Sequence, residues 1–157
     1  MLTLRRAFLM TLLCLTAAPP WASTTRWMTL AECVKQADRI VLGRCTHVIA
    51  ERDPDLGVDV VRVRIEVDRL VKGTGSRSIE FRQLAHDLAG TPSFKPGEEL
   101  LVLLYPESSA GLTTAVGLAQ GKFAIERDKH GRRFAINGFG NRRLQGETDL
   151  GGSLTLE

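Results

Sequence analysis

Residues 61–68 read Val-Arg-Val-Arg-Ile-Glu-Val-Asp, a strict alternation of β-branched and charged side chains. Successive side chains on a strand point to opposite faces, so this pattern specifies a strand with one apolar and one solvated face. No helix can segregate residues of this period. The outer row, Arg62, Arg64, Glu66 and Asp68, holds two charges of each sign and cancels. The apolar row, Val61, Val63, Ile65 and Val67, needs an apolar partner surface, and the rest of the chain supplies strands to form it.

The pass along the chain predicts one helix and several short strands. Thr29-Leu-Ala-Glu32 has capping-box spacing, and Leu30, Cys33, Val34 and Ala37 follow at helical spacing. Strands are expected at 40–50, 58–71, 78–84, 100–105 and 112–119. The 100–105 run is apolar throughout and reads as buried on both faces. Gly43 inside the first strand marks a bulge or a close backbone approach. In the third strand Ile79, Phe81 and Gln83 share a face. A hairpin of 122–127 and 132–137 surrounds Asp128-Lys-His-Gly131. From residue 138 the chain is rich in Gly and polar residues and ends in Leu154-Thr-Leu156; it reads as a loose tail, with a short closing strand at 154–156 as the alternative. One domain of 157 residues is long enough for a real core. The expected fold is mainly β: a small five- to seven-stranded OB-like barrel over 29–137, with one N-terminal helix and a C-terminal hairpin. Residues 138–157 are the Gly-rich polar tail.

The start of the chain reads as a targeting segment. Arg5 and Arg6 precede an apolar run over 7–18, too short to span a bilayer, then Pro19 and Pro20, then small residues at Ala22 and Ser23. Residues 1–22 are read as a cleaved signal peptide and 23–28 as a linker, so the protein is expected to be exported, periplasmic or extracellular, with no membrane span remaining. Leu13 before Cys14 argues against lipidation. Of 21 basic and 18 acidic residues, Arg5 and Arg6 belong to the leader, which leaves 19 against 18. That balance, and a single tyrosine on a buried strand, argue against nucleic-acid binding.

Chemistry-bearing residues are sparse. Cys33 and Cys45 remain after leader removal. An oxidising compartment permits a bridge between them, and two buried thiols are the other reading. Cys45 and His47 lie two apart and should share a strand face, so with His86 they are the candidate metal ligands. No ligand-motif spacing accompanies them, and no metal or cofactor is expected. His86-Asp87 near Ser93 forms no triad geometry, and Glu98-Glu99 should face opposite ways, so no catalytic residue is assigned. Gly117-Leu-Ala-Gln-Gly-Lys122 lacks phosphate-loop spacing and reads as a turn. The loops at 51–57 and 85–97 are the candidate partner-binding segments, with Asp53, Asp55, His86, Asp87 and Ser93 as their polar residues.

Several stretches together resemble a known group. Ala37-Asp-Arg-Ile-Val-Leu-Gly43 precedes an alternating strand ending Leu70-Val-Lys-Gly73. Phe94-Lys-Pro-Gly-Glu98 and Val116-Gly-Leu-Ala-Gln-Gly-Lys-Phe123 follow. Over residues 29–127 the chain resembles secreted bacterial barrel proteins similar to the N-terminal, netrin-like domain of tissue inhibitors of metalloproteinases. The resemblance implies a non-enzymatic domain that binds or inhibits a secreted protease of the matrixin-like zinc class. Those inhibitors chelate the target's zinc through an N-terminal cysteine. Here the first cysteine of the processed chain is Cys33, inside a helix, so inhibition would act by steric occlusion through loops. The competing expectations are a metal-binding protein or enzyme using Cys45, His47 and His86, and a cell-envelope structural module.

Overall fold

The computed structural model describes residues 26–85, 90–146 and 148–156. The signal-peptide segment, His86 and Asp87 lie outside the described residues. Among the described residues the fold is mainly β, with seven strands in one antiparallel sheet and one α-helix. The helix is α1 (Leu30–Gln36). The strands are β1 (Arg39–Arg52), β2 (Asp59–Lys72), β3 (Ser78–Leu84), β4 (Glu99–Leu104), β5 (Lys122–Arg127), β6 (Arg133–Asn137) and β7 (Leu154–Leu156). Their order is β3-β2-β1-β4-β5-β6-β7.

The helix begins where the capping box places it. Glu32 N–H donates to Thr29 Oγ1 at 3.3 Å, and Thr29 N–H donates back to the Glu32 carboxylate at 2.8 Å. Its other end is closed from outside. Lys72 Nζ, at the end of β2, donates to Val34 O at 2.9 Å and Ala37 O at 2.5 Å. A cation on the last carbonyls of a helix satisfies orphan acceptors and opposes the dipole.

The alternation of β2 is realised. Val63 and Ile65 are fully buried, while Arg64, Glu66 and Asp68 are exposed. The outer charges reach across strands: Arg62 bonds Glu51 on β1 and Glu80 on β3, and Arg64 bonds Glu80 at 2.9 Å. Gly43 is a close approach. A Cβ there would lie 2.0 Å from Glu66 O, and the β1–β2 register shifts between Leu42 and Gly43.

Strand β4 is buried on both faces and divides the interior. Leu100, Val102 and Leu104 point into one cluster with Val41, Cys45, Val63, Ile65 and Phe81. Leu103 points into a second, with Cys33, Ile40, Val116, Phe123 and Leu144. A period of two thus feeds two cores from one strand.

Two predicted elements differ. Residues 112–119 form no strand. Leu112 and Ala115 make isolated bridges to Arg82 and Leu104, and the chain then coils into a 3₁₀ turn (Leu118–Gln120). Gly117 at φ 60° and Leu118 at φ 58° lie in the left-handed region, which no strand can accommodate. The tail is also built into the fold rather than loose: β7 pairs with β6, Leu144 is buried, and Leu30 N–H donates to Leu144 O at 2.8 Å.

Buried amides hold that tail. Gln120 Oε1 accepts from Met28 N–H at 2.9 Å, and its Nε2 donates to Arg26 O and Gly117 O. Asn137 Nδ2 donates to Gln120 O, and Asn137 Oδ1 accepts from the Phe139 and Asn141 amides. Asn141 Oδ1 accepts from Asn137 N–H, while its Nδ2 donates to Ala135 O and Gly152 O. Among the described residues no helix is long and apolar enough to cross a membrane.

Candidate functional site

At one end of the sheet the β1–β2 turn, the end of β3 and the segment after β4 are tied together by one carboxylate and one guanidinium. Asp53 Oδ1 accepts from the amides of Asp55 and Leu56, both at 3.0 Å, which folds the turn over its own side chain. Asp53 Oδ2 accepts from Arg82 Nη1 at 2.5 Å. Arg82 Nη2 then donates to Ala110 O at 3.1 Å, and Arg82 O accepts from Thr113 N–H at 2.8 Å. The Leu56 amide first, then the Asp55 amide and Arg82, hold the Asp53 carboxyl below the usual aspartate range against the opposing effect of burial. Exposed apolar side chains sit at the same end: Leu56 and Val58 in the turn, and Leu84 opposite Val60.

Between the end of β3 and the segment after β4 lies a cavity of about 410 Å³. Its walls include Leu84, Tyr105, Pro106, Leu112 and Leu118, with Gln83 among them. Gln83 is 5% exposed. Its Nε2 donates to Pro92 O at 3.0 Å, and its Oε1 has no hydrogen-bond partner among the described residues. Tyr105 Oη accepts from Gly117 N–H at 3.3 Å. Thr113 Oγ1 donates to Tyr105 O at 2.7 Å, which braces that wall.

The sequence-predicted residues scatter. Cys45 and His47 do not share a face. The register pairs Cys45 with Ile65 and His47 with Arg64, so Thr46 is bulged and the alternation slips by one. Cys45 is fully buried, whereas His47 is exposed in a shallow recess of about 310 Å³ beside Glu51, Arg62 and Glu80. Among the described residues no three His, Cys, Asp or Glu side chains converge on a metal position. Cys33 and Cys45 are free buried thiols in different core clusters, so the structure holds the thiol alternative and not the bridge. Burial, and secondarily the Glu32 charge, push the Cys33 thiol up to about 11. Burial followed by Glu98 raises Cys45 as well. Glu98 and Glu99 take separate cationic partners: Lys122 at 2.6 Å for the first, Arg127 and Arg133 for the second. Among the loop residues, Asp53 is 4% exposed and committed to Arg82, while Asp55 is exposed. Ser93 is exposed and borders a recess of about 330 Å³ with Lys122 and Glu126.

Sequence reasoning missed Arg82 and the role of Gln83. The available signal was a polar residue in the inward register of an otherwise apolar strand face, after Ile79 and Phe81. Comparison with protein-family models, curated proteins and solved structures finds no match to this chain.

Proposed function

We propose that this protein is an exported, non-catalytic binding domain that engages a protein partner through the sheet end organised by Asp53 and Arg82. The observation that carries the reading is the Asp53–Arg82–Ala110 tie. It joins three segments distant in sequence into one preformed surface and leaves Leu56, Val58 and Leu84 exposed on it. A preformed surface avoids the ordering entropy that a flexible loop loses on binding. Exposed apolar groups supply area that a partner can bury.

The fold is read here as a curled, OB-like barrel. The parallel bridge from Arg82 to Leu112 and the antiparallel bridge from Leu104 to Ala115 support it, because they carry the chain from β3 across to β4. With the resemblance to netrin-like inhibitor domains, the partner class is a secreted metalloprotease, blocked sterically. The leader-like pattern of residues 1–22 supports export.

The test is titration of the purified protein into matrixin-like secreted zinc proteases, with casein and a short peptide as substrates. Occlusion predicts loss of casein cleavage by the wild type and recovery with the double variant Leu56→Asp, Val58→Asp. Undiminished cleavage, with no complex in gel filtration, removes the protease as partner.

A further inference from the structure

The chain holds two asparagines, Asn137 and Asn141, and only the first precedes a glycine. An asparagine carboxamide is open to attack by the main-chain nitrogen of the next residue. Glycine in that place has no Cβ to obstruct the approach and reaches the backbone angles that ring closure needs. The Gly138 nitrogen bonds to Asn137 Cγ, the Cγ–Nδ2 bond breaks, and the Gly138 amide proton leaves with Nδ2 as ammonia. Water then opens the cyclic imide on one side or the other, giving aspartate or isoaspartate. Water is the only co-reactant.

The folded chain holds each reacting atom in a bond that the reaction must break or distort. Gly138 N–H, the nucleophile, donates to Ala119 O at 3.2 Å. Asn137 Nδ2, the leaving group, donates to Gln120 O at 3.1 Å. Asn137 Oδ1 accepts from the amides of Phe139 at 3.0 Å and Asn141 at 2.8 Å. Ring closure strips the Gly138 proton and expels Nδ2, so the bonds to Ala119 and Gln120 are both lost. Asn137 is also only 4% exposed. Its carboxamide is thus locked between the 3₁₀ turn and the tail, and it becomes reactive when those two segments part. Local opening of this kind sets the rate of chemistry that the closed state forbids.

The products cannot restore the lock. Aspartate puts an acceptor where Nδ2 donates to Gln120 O, which leaves a buried carbonyl facing another oxygen. Isoaspartate carries the main chain through the former side chain. The Asn137 carbonyl, which accepts from Gly140 N–H at 3.0 Å, then becomes a free carboxylate. We propose that Asn137–Gly138 is a self-modification site, locked by the Gln120–Asn137–Asn141 network, at which deamidation after tail opening releases β7 and the tail for good.

The test follows the peptide bearing Asn137 by mass spectrometry, scoring loss of ammonia and isoaspartate in purified protein kept native or unfolded in guanidinium. In the unfolded chain Asn137 is expected to convert well before Asn141, which precedes Arg142. Native conversion should be at least about a hundredfold slower. Asn141→Ala removes the bonds to Asn137 N–H, Ala135 O and Gly152 O and should speed native conversion about tenfold. If Asn141→Ala does not fold, guanidinium below the unfolding transition takes its place, and the wild-type rate should rise in step with hydrogen exchange in β7. Protein converted while unfolded and then refolded should keep amide protection in β2 and lose it in β6 and β7. Native conversion as fast as unfolded conversion overturns the proposal. So does conversion of Asn141 before Asn137, a native rate indifferent to loosening of the tail, or refolded, converted protein that keeps β7 protected or loses protection throughout the sheet.

Discussion

The two halves of this molecule are stabilised by different chemistry. The β1–β2–β3 ribbon is held by alternation: Val63, Ile65 and Phe81 point into one core, while Arg62, Arg64 and Glu80 form ion pairs on the other face. The half built from β5, β6, β7 and the tail has short strands and leans on buried amides. Gln120, Asn137 and Asn141 bond main-chain groups of other segments, at Met28, Gln120 and Ala135. An apolar core tolerates shape changes by partial relaxation. A buried amide network does not, because each deletion strands several partners at once. The ribbon is thus organised locally, and the other half by contacts between distant segments.

Substitutions can break or sharpen that contrast. The largest effect is expected at Gly43. A Cβ would collide with the Glu66 carbonyl, so Gly43→Ala must push β1 and β2 apart and should cost about 4 kcal/mol or more in urea unfolding. Phe123→Ala, in the second core, empties a fully buried aromatic site and should cost about 3–5 kcal/mol by the same measurement. Asn141→Ala follows at about 2–4 kcal/mol, although it removes far less apolar surface. If Asn141→Ala were nearly neutral, the network would not be what anchors the tail. The loss should appear as early hydrogen exchange in β6 and β7, with the ribbon still protected.

Acid separates the halves less sharply. Asp53 at the ribbon end and Asp149 in the tail are both held below the usual range, Asp149 by the Gly151 amide first and then the Gln145 amide. A depressed folded-state value means these carboxylates add stability above the unfolded aspartate pKa of about 3.9. That contribution is lost as pH falls through their folded values. The urea midpoint should therefore fall between about pH 5 and pH 3, and Asp53→Asn should flatten the fall. The smallest effect belongs to the outer face. Arg62→Ala removes two cross-strand ion pairs that solvent screens, and the melting temperature should move by no more than about two degrees. Thiol titration adds a check common to both halves. Cys33 and Cys45 should resist a thiol reagent in the native protein at neutral pH and both react after denaturation.

Much of the ribbon was legible in the residues. The alternation at 61–68, the capping box at Thr29 and Glu32, and the doubly buried run at 100–104 are local patterns, and each element forms where its pattern lies. The segment at 112–119 was misread as a strand because its apolar composition carries no mark of the left-handed turn at Gly117 and Leu118. The loose-tail reading fails for a similar reason, while the alternative of a closing strand at 154–156 is the one that forms. Asparagine and glycine signal a loop, and nothing local tells a solvated Asn141 from one buried among three main-chain partners. The pairing of Cys45 with His47 failed on a single bulged residue, Thr46, which only the partner strand's register reveals.

By itself the sequence determined a mainly β protein with one short capped helix, a charged face whose signs cancel, and two apolar-facing cysteines. Period and capping are short-range properties, and they survive without knowledge of neighbours. Only the tertiary structure decided that Asp53 meets Arg82, that the cysteines lie in separate cores, and that Gln83 is buried with its side-chain oxygen unpaired among the described residues. Each of those depends on segments tens of residues apart being brought together. Their juxtaposition is set by sheet register and bulges, which no local pattern encodes.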